Sequence, residues 1–246
     1  MPLNLDLKFK NFLRGATTPV RALQTIFHHP RLIFISIFPM MVTAVAIALS
    51  IYAILTGAWS FGTAWFQSFT GQYTGLATGV FAFIVGSFTF YLLFHSIGIL
   101  LSLLSSPFND WLAEETERAC GKERVTLSFR ILFLVFLSDI RKSVLTLTAS
   151  LGFWLLAFVP VLGLIAPLGF TLITTLTFIS YPQSRRHLGI FECLLWIKSN
   201  IFLSLGFGLT TTLLFGIPVI NVFALPLAVV GGTLLFLENE AVGKNN

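Results

Sequence analysis

Charge is what this chain has least of. No Asp, Glu, Lys or Arg occurs from Leu32 to Asn109, over 143–184, or over 199–237. Charged residues are 10% of the 246, against about 25% in soluble domains. The mean hydropathy is +0.89, so the chain is an integral membrane protein. The apolar stretches contain no acid, which excludes an intramembrane aspartyl dyad and argues against a cation pump built on buried carboxylates. Cysteine is scarce as well. Cys120 and Cys193 lie far apart in charged segments, and both are expected unpaired on the reducing side of the membrane. His-Glu-x-x-His, Gly-x-Ser-x-Gly and P-loop motifs are missing, so no catalytic residue, metal or cofactor is expected and the chain is not read as an enzyme. The first apolar run begins only at Leu32, after Lys8, Lys10, Arg14, Arg21 and Arg31, and no cleaved signal peptide is expected.

The charge that is present is sorted. All 15 Lys and Arg fall in the N-terminal arm, 118–142, 185–198 and the C-terminal tail. The positive-inside rule places all four on the cytoplasmic side, with both termini. The uncharged 57–75 connection, carrying Trp59, Phe61, Trp65, Phe66, Phe69 and Tyr73, is then an external aromatic belt. The net charge of +5 suits a rim facing anionic lipid and requires no nucleic acid.

One membrane domain, 1–246, accounts for the length. Its parts are an interfacial N-terminal arm (1–31), two spans (32–106), cytoplasmic or interfacial helices (107–142), a first hairpin (143–184), an interfacial helix (185–200), a second hairpin (201–237) and a tail (238–246). As one straight helix, either uncharged hairpin stretch would run roughly 60 Å, twice the bilayer core. Each must therefore break. Pro160-Val161-Leu162-Gly163 and Pro218-Val219-Ile220-Asn221 supply the breakers. Gly163 and Asn221 are expected at the turns. On length alone, half-penetrating hairpins and ordinary two-span hairpins both fit; the lack of charge or loop at either tip favours the former. The expected fold is thus all-α, with two full transmembrane helices, two Pro-broken hairpins and interfacial amphipathic helices.

Taken in order, residues 5–28 read as an interfacial helix kinked at Pro19. It would show Phe12, Leu13, Ala16, Val20, Leu23 and Phe27 to lipid and keep Lys8, Arg14 and Arg21 wet. Span one covers Leu32–Thr56, bent at Pro39, and span two Leu76–Ser105. His95 in span two is read as a hydrogen-bonded packing residue in preference to a site, and Gly71, Gly75 and Gly79 as a packing ladder. Ser106-Pro107 opens a helix that stops at Gly121. Phe108, Trp111, Leu112 and Ala119 form one face; Asp110, Glu114, Glu117 and Arg118 form a solvated other face, with Glu114–Arg118 as an i,i+4 pair. A largely apolar helix follows over 126–142. Thr171, Thr174, Thr175 and Thr210 to Thr212 either line a hydrated path or make interhelical hydrogen bonds, the commoner use. Arg185-Arg186-His187 reads as an exposed basic turn.

The run Ser106-Pro107-Phe108-Asn109-Asp110-Trp111-Leu112-Ala113-Glu114-Glu115-Thr116-Glu117 resembles the Pro-Phe-Asn-x-x-Leu-Ala-Glu-x-x-Glu run of the bacterial CysZ sulfate permeases, relatives of the etoposide-induced membrane proteins. Ile217-Pro218, Asn221, Phe223, Pro226, Ala228-Val229, Gly231 and Thr233 fall at the spacing of the same family, as does Tyr181-Pro182. The resemblance, from about residue 20 to 238, implies two full spans with two half-penetrating hairpins, sulfate uptake for cysteine biosynthesis across the bacterial inner membrane, and a homo-oligomer. Family assembly with protomers in opposite orientations is implied too, but the charge asymmetry opposes it. The chain departs from the family where sulfate is thought to bind. Ile33 and Phe34 stand at the two family arginine positions, Arg31 stands at the family glycine, and Ser180 replaces an Asp.

The site expected from these residues is an oxyanion site on the cytoplasmic side. Arg31, His28 and His29, with the first-turn amides up to Leu32, would hold sulfate or a related oxyanion. Arg31 could equally serve as an interfacial anchor. Glu114, Glu117 and Arg118 would line the mouth, and Gly163 and Asn221 would shape the path. The alternative is a membrane scaffold or morphology protein of the same superfamily, which the missing arginines favour.

Overall fold

The computed structural model describes residues 5–53, 105, 107–122, 144–145, 148–156, 159, 166–186 and 188–243. The regular elements among them are all helices. The chain divides into two compact units, Met1–Met41 with Ser105–Asn246, and Val42–Leu104. The second is described only over Val42–Ala53, where it is helical. The aromatic connection, span two with His95, the 126–142 helix and the first hairpin's tip at Gly163 lie outside the described residues.

The N-terminal arm is two helices, α1 (Leu5–Ala16) and α2 (Thr18–His28). The expected kink at Pro19 lies instead at Thr17, whose hydroxyl donates to the Leu13 carbonyl at 2.9 Å. Pro19 is within the first two positions of α2, where a missing N–H costs nothing. Leu13, Val20, Leu23 and Phe27 are exposed as expected. The arm also packs inward, α1 against the second hairpin and α2 against the last helix. α3 (Pro30–Ala53) continues through Pro39. Thr18–His28 and Pro30–Val45 meet at a 116° bend around His29.

Helix α4 covers 107–119 and α5 covers 148–156. They are followed by α6 (Ala166–Arg185), α7 (Ile190–Ser199), α8 (Ile201–Phe215) and α9 (Pro218–Gly243). α9 packs against α2, α6 and α8. Residues 227–237 are buried without interruption, as expected of a helix surrounded by others and apolar all round. Among the described residues, Ile220–Glu240 is the one helix long and apolar enough to cross a membrane by itself. Two bent pairs would add to it if each forms one broken span: α2 with α3, and α7 with α8, the latter bent by 101°.

The second hairpin turns earlier than the sequence suggested. The break is at Gly216-Ile217, and Asn221 sits in the first turn of α9 with its amide on the Ile217 carbonyl at 2.8 Å. Pro218 starts a helix here; it does not end one. α8 is roughly 22 Å long, short of the bilayer core, and α9 roughly 39 Å.

Small residues set how closely the helices approach. A Cβ on Gly15 would overlap the Leu203 carbonyl oxygen, and one on Gly206 would overlap that of Phe12, so α1 and α8 meet backbone to backbone. Gly208 lies in the same way on the Thr171 carbonyl, and Gly232 on the Phe178 backbone. The threonines join the same contacts. Thr174 and Thr212 share a hydrogen bond of 3.0 Å across α6 and α8, and the Thr175 hydroxyl donates to the Ser204 carbonyl at 2.7 Å. Thr174, Thr175 and Thr212 are thus used between helices, whereas the Thr171 and Thr210 hydroxyls donate to carbonyls of their own helices.

Gly206→Val should displace α1 and lower stability by at least about 1–3 kcal/mol. Gly152→Ala, at an exposed helical position with no atom within 4 Å of the new Cβ, should be neutral or stabilising by about 0.5–1 kcal/mol. Thermal unfolding of the two variants in detergent, followed by size-exclusion fluorescence, measures the contrast. Equal melting temperatures would contradict the close α1–α8 contact.

Candidate functional site

Two stripes of α4 carry the chemistry. Asp110, Glu114 and Glu117 follow one another at spacings of four and three, so they share a face. Trp111, Glu115 and Arg118 repeat the spacing one residue later, about 100° round the helix. The helix ends as the sequence suggested. Gly121 has φ 75°, the left-handed conformation glycine tolerates. Its amide reaches the Arg118 carbonyl at 2.9 Å, and the Lys122 amide reaches that of Glu117 at 3.0 Å, which closes a Schellman motif.

The first stripe is not solvated. It faces Arg185, the last residue of α6, whose side chain is 0% exposed. The guanidinium lies 3.0 Å from Asp110 Oδ2, 3.3 Å from Glu114 Oε2 and 3.6 Å from Glu117 Oε2. The expected basic turn is thus half interior. Arg186 bridges Glu117 Oε1 at 2.6 Å and Glu240 Oε2 of α9 at 3.2 Å, and lies over the Phe236 ring. Asn109 donates to the Tyr181 hydroxyl at 3.1 Å. Beyond this group, Glu238 of α9 takes Arg14 at 2.7 Å and also pairs with Arg21. A buried guanidinium persists only with good partners, and a cation at the C-terminal end of α6 also meets its helix dipole favourably.

The second stripe faces the start of α3. Glu115 Oε1 is 3.6 Å from Arg31 Nη1, and Glu115 Oε2 is 3.2 Å from Arg118 Nη1. The expected Glu114–Arg118 pair gives way to this i,i+3 pair because Glu114 is turned toward Arg185. Arg31, Arg118, Glu115 and Glu114 line a cavity of about 390 Å³ whose apolar wall is Trp111, Phe34 and Ile35. Arg31 and Arg118 are 75% and 45% exposed at the side chain, and Glu115 only 12%. With Glu114 engaged by Arg185, the cavity holds two guanidinium groups against one further carboxylate.

Three expected site residues therefore meet in one cavity: Arg31, Glu114 and Arg118. The others do not join them. His28 and His29 turn their Nδ1 atoms back to the Gln24 and Thr25 carbonyls at 2.7 and 3.0 Å. Leu32 is fully buried, and its amide donates to the His29 carbonyl at 2.9 Å, so it is not available to an anion. Glu117 is buried in the Arg185 group, and Asn221 lies in α9. Glu115 was missed, although it stands three residues before Arg118, a favourable helical spacing for opposite charges. Among the described residues no three His, Cys, Asp or Glu side chains are grouped to hold a metal ion. Partial desolvation, and then the Glu117 carboxylate, push the thiol of the exposed Cys120 up, with Lys122 opposing.

The two acidic anchors should differ in weight. Glu117→Gln unbalances a buried charge group and should cost about 3–5 kcal/mol. Glu238→Gln removes half-exposed pairs and should cost about 0–1 kcal/mol. Melting temperatures in one detergent give the order, and a larger loss from Glu238→Gln would contradict it.

Comparison with known proteins bears on this arrangement. The family described as Sulfate transporter CysZ/Etoposide-induced protein 2.4 matches residues 18–226. The chain is 28% identical over 159 residues to a sulfate transporter CysZ of Pseudomonas fluorescens (strain Pf0-1), covering 61% of this chain and 64% of that protein. It is 30% identical over 159 residues to the protein of that name from Pseudomonas syringae pv. tomato, covering 61% and 63%. A Vibrio cholerae protein of the same name is 28% identical over 148 residues, covering 56% and 59%. The chain thus spans less than two thirds of these curated relatives, the first at 64% of its length. The match over residues 18–226 covers most of the sequence, and the chain belongs to the sulfate transporter CysZ/etoposide-induced protein 2.4 family.

Proposed function

We propose that the chain is a bacterial inner-membrane permease or channel for sulfate or a related oxyanion, supplying sulfate to cysteine biosynthesis. The observation that carries this reading is the convergence of Arg31 and Arg118 on one cavity of about 390 Å³ at the start of α3. A guanidinium presents a planar fork matched to two oxygens of an oxyanion. The N-terminus of α3 adds the positive end of a helix dipole. Glu114 would stand at the mouth, with Glu117 behind it fixing α4 in place. Gly163, from the first hairpin stretch of the sequence, and Asn221, in the first turn of α9, would shape the path. The short α8 favours a second hairpin of which one arm stops within the membrane. Both termini lie in the cytoplasm on this reading, the chain is a homo-oligomer embedded in lipid, and transport is passive or ion-coupled, since the sequence has no nucleotide-binding motif.

One observation favours a second reading. Ile33 and Phe34, both exposed, stand where the family resemblance places arginines. A scaffold whose hairpins load one leaflet and shape the bilayer would not need those charges.

Sulfate flux into proteoliposomes, with thiosulfate, sulfite and phosphate as competitors, separates the two. The transport reading expects flux above protein-free vesicles. Arg31→Ala should raise the half-saturating sulfate concentration roughly ten- to hundredfold, about 1.4–2.8 kcal/mol, and Arg31→Lys should recover only part. Absence of wild-type flux at any pH leaves the scaffold reading standing. Equal half-saturation in all three proteins reduces Arg31 to an interfacial anchor.

A further inference from the structure

Glu115 occupies the cavity in the way an oxyanion would. One carboxylate oxygen faces Arg31 and the other faces Arg118, so a single anionic group bridges the two guanidinium groups through a pair of oxygens. An edge of a tetrahedral oxyanion offers a comparable pair. The carboxylate is more buried than either arginine, and the 3.6 Å approach of Arg31 is an ion pair without a hydrogen bond. That contact is weak enough to be exchanged. Simple addition of a dianion is disfavoured, because Glu115 and Glu114 both line the cavity and like charges repel at such distances.

We infer that Glu115 is a tethered competitor for the proposed oxyanion, one that sets the affinity and the charge selectivity of the cavity. The inference rests on reading Arg31 and Arg118 as the anion site. An entering oxyanion takes over the two guanidinium groups and Glu115 swings aside. A doubly charged tetrahedral ion gains contact with both arginines and displaces one carboxylate. A monoanion such as nitrate gains less and is held off. α4 is locked by Arg185 on its other stripe, so the exchange needs only the Glu115 side chain to move.

Sulfate titration of the purified full chain by calorimetry tests this, with wild type, Glu115→Gln, Glu115→Asp, Arg31→Ala and Arg118→Ala. Glu115→Gln should tighten sulfate binding roughly tenfold, about 1.4 kcal/mol, and should let nitrate compete where it does not in wild type. Glu115→Asp keeps the carboxylate and should stay nearer wild type, and both arginine variants should weaken binding. If Glu115→Gln binds no tighter than wild type while the arginine variants weaken, the anion site stands and the competitor role falls. If wild type and every variant fail to bind sulfate, the site reading falls and the inference with it. Glu115→Ala, read in the same titration, substitutes for a Gln variant that does not fold.

Discussion

A guanidinium shut away from water determines how the described part of this protein is arranged. Arg185 ends α6 with a side chain 0% exposed, and stripping a cation of its water costs several kcal/mol unless carboxylates replace it. Asp110, Glu114 and Glu117 do so from one stripe of α4. This fixes the rotation of α4 about its own axis. The neighbouring stripe, Trp111, Glu115 and Arg118, must then face the start of α3 and complete the cavity there. Arg186 carries the tie onward to Glu240 of α9, and Glu238 adds Arg14 and Arg21 of the arm. The charges that hold Arg185 and the charges that line the cavity thus share one short helix, on different faces.

Away from that charged end, the helices are held by close approach rather than by charge. Gly15, Gly206, Gly208 and Gly232 let backbones touch, and hydroxyls such as Thr174, Thr175 and Thr212 bridge the same helices. An apolar solvent gives little hydrophobic drive between helices, so contact distance and shared hydrogen bonds carry more of the association. Most of these contacts meet on α8, which takes α1 through Gly15 and Gly206 and α6 through Gly208.

Helix content, the Gly121 stop and the exposure of Leu13, Val20, Leu23 and Phe27 were legible in the sequence, because each follows from local periodicity or backbone chemistry. The turn of the second hairpin was misplaced to Asn221 because Pro218 can end a helix or begin one, and only the chain on either side decides. The charged face of α4 looked solvated because its partner, Arg185, lies 75 residues from Asp110. Arg31 and Arg118 could be named as candidates, yet their meeting through Glu115 depends on a tertiary contact that periodicity does not encode. His28 and His29 lost their expected place to nearby carbonyls of α2, a local competition that their clustering beside Arg31 concealed.

The central claim is that Arg185 and the α4 carboxylates act as one buried unit. A double-mutant cycle of Arg185→Gln and Asp110→Asn, followed by reversible unfolding in detergent, measures it directly. The account predicts a loss of about 3–5 kcal/mol for Arg185→Gln alone, partly relieved in the double variant, with a coupling of roughly 0.5–3 kcal/mol. Losses that add to within about 0.3–0.5 kcal/mol, or an Arg185→Gln protein as stable as wild type, would contradict it.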